Sequence, residues 1–200
     1  MIRSNDRHTQ NNSSQSSEHV PEWYALRCTY GREKKAYDYL CANGIEAYYP
    51  TIPSFRRIDG KPEKVEKSRL PNILFAYSTF NRLKEFVYDN YHDETKYMRF
   101  YYNHHHDGTK EPLVIPQRQM LSLIKICEAD AEDKLIEPFV VDKFKTGQTV
   151  RVKAGPFAGV EGVVDRYKGQ QRIGVVVEGF LTVMTAYVAK QNLEIINRTV

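Results

Sequence analysis

Apolar positions change their period several times along the chain. The first 20 residues carry Ser, Asn and Gln with almost nothing to bury, so they predict a disordered tail whose ordering entropy nothing would offset. "EWYALRCTY" predicts a strand through Trp23, Ala25 and Leu26. In "GREKKAYDYLCANG", Ala36, Tyr37, Leu40 and Cys41 recur at helical spacing, and Asn43-Gly44 supplies the stop. "IEAYYPTIP" predicts a second strand, running into a basic loop in which Asp59-Gly60 is a hairpin turn signal. "NILFAYSTF" predicts a strand, and "NRLKEFVYDN" a short helix with Leu83, Phe86 and Val87 on one side. "KYMRFYYN" predicts a strand and "NHHHDGTKEP" a loop. "PQRQMLSLIKICEADA" predicts a helix opened by Pro116, with Met120, Leu121, Ile124 and Cys127 as its buried stripe.

That β-α-β-β-α-β-α order predicts an α+β sandwich, helices over a mostly antiparallel sheet. "EADAEDKLIEPFVVDKF" is acidic, is broken by Pro138, and reads as a linker. After it, "QTVRVK", "VEGVVDRY", "RIGVVVEGF", "LTVMTAYV" and "NLEII" are five short strands with no helix between them, which predicts a small β-barrel. The expected organisation is a tail over 1–20, an α+β domain over 21–129, a linker over 130–143 and a barrel domain over 144–200.

Composition narrows the function classes. No apolar run approaches the roughly 20 residues that span a bilayer, and the polar N-terminus lacks the apolar core of a signal peptide. Cys28, Cys41 and Cys127 are widely spaced without a C-x-x-C pair, which predicts reduced thiols in a cytoplasmic protein and no zinc site. His104, His105 and His106 precede an Asp107-Gly108 turn and read as a solvated loop tip, so no metal or other cofactor is expected. No Ser/His/Asp order, carboxylate pair or cofactor loop stands out, which argues against an enzyme. The net charge of +4 is compatible with touching nucleic acid without demanding it. The basic residues gather in "RRIDGKPEKVEKSR", residues 56–69.

Three glycines inside strand-like sequence carry the identification. A phosphate-binding loop needs its glycines followed by a helix. In "VRVKAGPFAGVEGVV", residues 150–164, Gly155, Pro156, Phe157 and Gly159 lead instead to Gly162 and more strand. Pro156 fixes φ and the glycines permit a tight turn and a bulge. The pattern resembles the KOW motif. The strand opening at Trp23-Tyr24, "SRLPNILF", "PLVIP" before a helix, and "FKTGQTVRVKAGPFAGVEGVV" occur in the order found in the NusG/RfaH family of transcription elongation factors, over residues 21–197.

The resemblance implies an N-terminal NGN domain that docks an apolar patch on the clamp helices of RNA polymerase and favours the pause-resistant enzyme by binding. It implies a KOW domain that recruits the termination factor Rho or a ribosomal small-subunit protein, in a monomeric factor. "LPNILF" is closer to the specialised "FPNYLF" than to the general "FPGYVL", which points to a UpxY-like antiterminator of polysaccharide operons. On strand parity Ile73 and Phe75 share one face, opposite Leu74. They either fill the core or, as the resemblance implies, form the clamp-binding patch with Leu70. Ile73 stands where the family usually has tyrosine, which makes that patch more aliphatic. The start of the first helix offers Arg32, Lys34 and Lys35 for phosphates of non-template DNA and Tyr30 for stacking on a base. Phe157 and Phe180 read either as barrel core or as a patch for the KOW partner. The β-branched strands favour the barrel over the helical refolding known in RfaH-type proteins. The rival reading is a ribosome- or RNA-binding KOW protein.

Overall fold

The computed structural model describes residues 20–89, 91–129, 135–137, 147–167, 170–177 and 180–196. The predicted tail therefore lies outside the described residues, apart from Val20, as does most of the predicted linker. The N-terminal sheet is built on β1 (Glu22–Cys28), which pairs antiparallel with β5 (Ile73–Ser78) on one side and β6 (Met98–Phe100) on the other. The short β9 (Val114–Ile115) pairs with the start of β1, and β2 (Glu46–Tyr48) extends the sheet beyond β5. Trp23, Tyr24, Ala25, Leu26 and Cys28 are all buried. An antiparallel strand apolar on both sides of the pleat must be covered on both faces.

Each face has its own cover. Tyr24, Leu26, Cys28, Leu74 and Ala76 pack with Ala36 and Leu40 of α1 (Glu33–Ala42) and with Leu83 and Val87 of α2 (Phe80–Val87). Gly44, at φ 73°, ends α1 where the sequence signals its stop. The Thr79 side chain caps α2 by accepting from the Arg82 amide. The other face, with Trp23, Ala25, Ile73 and Phe75, packs on α3 (Gln117–Glu128) through Met120, Leu123, Ile126 and Cys127. The predicted stripe of α3 is thereby corrected: Leu121 is about half exposed, and Leu123 and Ile126 are buried in its place. A helix with partners on two sides buries a wider arc than one amphipathic stripe indicates.

Two segments expected as loops are ribbons. β3 (Thr51–Ile58) and β4 (Lys61–Ser68) form a separate two-stranded sheet across the Asp59-Gly60 turn. The predicted "KYMRFYYN" strand splits into β6 and β7 (Tyr102–His104), and β7 pairs with β8 (Lys110–Pro112) around the histidine segment.

The C-terminal sheet contains all five expected strands: β11 (Thr149–Val152), β12 (Glu161–Tyr167), β13 (Gln170–Val177), β14 (Leu181–Met184) and β15 (Leu193–Ile195). A sixth, β10 (Leu135–Glu137), comes from within the segment read as linker and pairs with β14. The pairing order is the open path β10-β14-β13-β12-β11-β15, all antiparallel, so the expected closed barrel is not found among the described strands. With β13 and β10 on its two edges, β14 has none left for β15.

Gly162 has a packing role in this sheet. A Cβ there would sit 2.4 Å from the Gly174 carbonyl oxygen and 2.8 Å from Ile173 Cγ2. Gly162→Val is therefore expected to destabilise the protein by about 1–3 kcal/mol through overpacking. Urea denaturation of the full chain followed by circular dichroism checks it, and an unchanged midpoint would contradict the close approach.

Candidate functional site

The segment that ends in β5 begins at a turn tied to α1. Asn72 takes φ 65°, and its amide donates to Glu33 Oε1 at 2.7 Å. Glu33 is 6% exposed, and its carboxylate fixes the start of α1 against the residues that lead to Ile73. Sequence reading did not single out Glu33. An acidic residue in the first turn of a helix was its only visible signal.

Ile73 and Phe75 project to one side of β5 and Leu74 to the other, as period two requires. Leu70, Ile73 and Phe75 are 0%, 3% and 0% exposed. They belong to one continuous apolar cluster that includes α3 and, from the C-terminal sheet, Val150, Phe157, Val160, Ile173, Val175 and Leu181. Phe180 packs edge-on against Phe75, ring centroids 6.4 Å apart, and against Tyr101 at 4.6 Å. Tyr48 lies 6.3 Å from Phe75 on its own sheet. Polar contacts also join α3 to the C-terminal part: Lys125 Nζ donates to the Ala158 carbonyl at 3.2 Å, and the Glu161 amide donates to Ser122 Oγ at 3.1 Å. The apolar face of the N-terminal sheet is therefore covered, and strands of the C-terminal sheet supply part of the cover.

The glycine turn stands beside that contact. Gly155 and Gly159 take φ 91° and 85°, the left-handed region open to glycine. The turn is held by the Ala158 amide on the Gly155 carbonyl at 3.0 Å and the Gly159 amide on the Val152 carbonyl at 2.7 Å. Pro156 lies inside it and Phe157 is buried.

The other candidates lie at the start of α1. Tyr30 is 80% exposed at φ 63°, with its ring edge-on to Tyr97 at 4.9 Å. Arg32 pairs with Asp93 and stacks over Tyr97 at 5.4 Å. That hydrogen bond raises the Arg32 pKa and holds the Asp93 carboxyl below its usual range. Lys34 is paired with Asp38 one turn on, at 2.8 Å to Oδ2, while Lys35 is exposed. Arg32 and Lys34 thus each spend part of their charge within the protein.

Tyr30 opens instead onto a cleft of about 390 Å³ that sequence reading did not anticipate, lined by Arg27, Thr29, Lys96, Tyr97, Arg99 and Phe100. Its lining has three cations and no carboxylate. Arg99 is oriented by its Nη1 donating to the carbonyls of Met98, Lys96 and Val87 at 2.6, 3.1 and 3.3 Å. These side chains come from β1, the loop after it and the β6 region, which strand pairing brings together across more than 60 residues. Cationic side chains around the exposed ring of Tyr30 suit phosphate and base.

Among the described residues the titratable groups form no catalytic constellation. Burial, with Glu33 adding, pushes the Cys28 thiol up to about 12, so the nucleophilic thiolate is not formed near neutrality. His105 Nε2 stands 3.3 Å from Glu111 Oε1 across the histidine ribbon, and no three His, Cys, Asp or Glu converge on a metal position among the described residues. Among those residues no helix is long and apolar enough to cross a membrane.

No curated protein matches the chain. The family model described as transcription termination factor NusG matches residues 21–124, which span β1 to α3 and include both candidate surfaces. With more than half of its length matched in this way, the chain belongs to the NusG family of transcription factors, which bind RNA polymerase and act without catalysis.

Proposed function

We propose that the protein is an elongation and antitermination factor that docks Leu70, Ile73 and Phe75 on the clamp helices of RNA polymerase and suppresses pausing or termination. The reading rests on one observation above all: family membership covers the sheet whose β5 carries Ile73 and Phe75 on a single apolar face. The face is under the C-terminal sheet in this structure, so docking requires the two sheets to part, and affinity is reduced by the fraction of closed molecules. Beyond α3, the C-terminal segment contributes to the cover in its stranded form, so no helical form of that segment is needed for it.

Tyr30, Arg32, Lys34 and Lys35, with the cleft formed by Arg27, Lys96, Tyr97 and Arg99, lie toward exposed non-template DNA in this reading. The shape of "LPNILF" supports a UpxY-like specialisation for particular operons, such as polysaccharide loci. The C-terminal sheet, once released, recruits Rho or a ribosomal small-subunit protein, and the factor acts as a cytoplasmic monomer. Transcription in vitro across a terminator, on a template from the protein's own operon, tests the reading. Increased read-through or shortened pauses are expected. Unchanged pausing and termination on every such template would overturn it.

A further inference from the structure

The basic β3–β4 ribbon has no role in either surface described above, and its geometry points to one of its own. We infer that it binds a single-stranded polynucleotide on the face that carries Phe55, Arg57 and Lys64.

The ribbon pairs with no other strand among the described residues. It turns through Asp59 and Gly60 at φ 51° and 79°, the left-handed pair of a tight two-residue hairpin. Register then sorts its side chains. Phe55 lies opposite Lys64 and Arg57 opposite Pro62, so all four share a face with Pro53 and Glu66. Ile52, Ser54, Arg56 and Ile58 occupy the reverse face with Lys61, Glu63, Val65 and Lys67.

Phe55 is 75% exposed on an element with no core beneath it. Lys64 is its direct cross-strand neighbour, and Arg57 follows it on the same face about 7 Å further out. Neither cation is held in an ion pair among the described residues. Over β3, the turn and β4 there are Arg56, Arg57, Lys61, Lys64 and Lys67 against Asp59, Glu63 and Glu66, so the ribbon suits a polyanion.

The aromatic ring selects among polyanions. An unpaired base offers a free π-face for stacking, with cations placed for the phosphates on either side, whereas a duplex keeps its bases stacked inside. The face also adjoins the first helix. Glu66, nearer the base of the ribbon, is close enough to Lys34 to help raise its pKa, although Asp38 is the main cause. A strand laid along Phe55 would thus run toward the cationic start of α1.

Fluorescence anisotropy of labelled oligothymidylate, oligouridylate and a duplex of equal length, titrated with the full chain, tests this without polymerase. Its failure would leave the docking proposal standing. Phe55→Leu keeps an apolar side chain but removes the stacking ring, and is expected to weaken single-strand binding about fivefold or more. Phe55→Trp restores it. Arg57→Gln with Lys64→Gln is expected to reduce the salt slope by roughly 1.4, at about 0.7 per phosphate contact on single strands. Ile58→Ala, on the reverse face, is expected to leave binding unchanged. Comparison of the two oligonucleotides assigns DNA or RNA as the source of the strand. Wild-type affinity in Phe55→Leu, an unchanged salt slope in the double variant, or tighter binding to the duplex would each overturn the inference.

Discussion

Phe75→Asp is expected to lower the melting temperature of the full chain by well over 6 °C. The ring is fully buried between Tyr48 on its own sheet and Phe180 on the C-terminal sheet. Truncating a buried phenylalanine costs about 3–5 kcal/mol, and a chain of this size loses roughly 2–4 °C per kcal/mol, or about 6–20 °C in all. The carboxylate adds to that, because the position is fully buried within an apolar cluster and a buried charge carries a large desolvation cost. Differential scanning calorimetry measures the shift, and a change under about 2 °C would mean that the face is solvated most of the time. The result bears directly on the docking proposal. Loss of polymerase binding in Ile73→Asp or Phe75→Asp cannot locate the docking surface, since either substitution disrupts the sheet itself.

The cleaner probe is Phe180→Asp, which is expected to strengthen binding to an isolated clamp-helix fragment about tenfold. Phe180 is half-buried, belongs to the C-terminal sheet and reaches across to Phe75 and Tyr101. Half-burial of such a ring stabilises the closed arrangement by about 1–1.5 kcal/mol, roughly half the value for full burial, and its replacement by a carboxylate removes that contribution without altering β1 or β5. If the closed form dominates, apparent affinity for anything that binds the uncovered face rises by the same factor. Small-angle scattering should show a larger radius of gyration. An unchanged radius would show that the packing does not depend on this ring. An enlarged radius with unchanged affinity would remove Leu70, Ile73 and Phe75 from the docking surface.

The pattern of local signals explains which elements were legible in advance. β1 and β5 are short continuous apolar runs and α1 has helical spacing with an Asn43-Gly44 stop, and they form where those patterns indicate. The basic segment gave only its Asp59-Gly60 turn away. Charged residues in β3 and β4 alternate without an apolar face, so nothing in their order separates a ribbon from a solvated loop. The histidine segment is similar, since β7 and β8 are three residues each. Leu121 was misassigned because a helix lying between two sheets has a buried arc determined by both partners, whereas periodicity reads a single stripe.

The candidate surfaces divide in the same way. Tyr30 and Arg32 were visible as residues near a helix start, but Arg27, Lys96, Tyr97 and Arg99 come from distant segments with no shared motif. What the sequence by itself determined is the family, the succession of elements, and the parity that puts Ile73 and Phe75 on one face, because these depend on short-range spacing. The tertiary structure alone decided that this face is covered, that Arg32 pairs with Asp93, that β10 takes the edge of β14, and that Phe55 stands exposed beside two cations. Each depends on contacts between residues far apart in the chain, where burial and charge pairing are properties of the assembled fold.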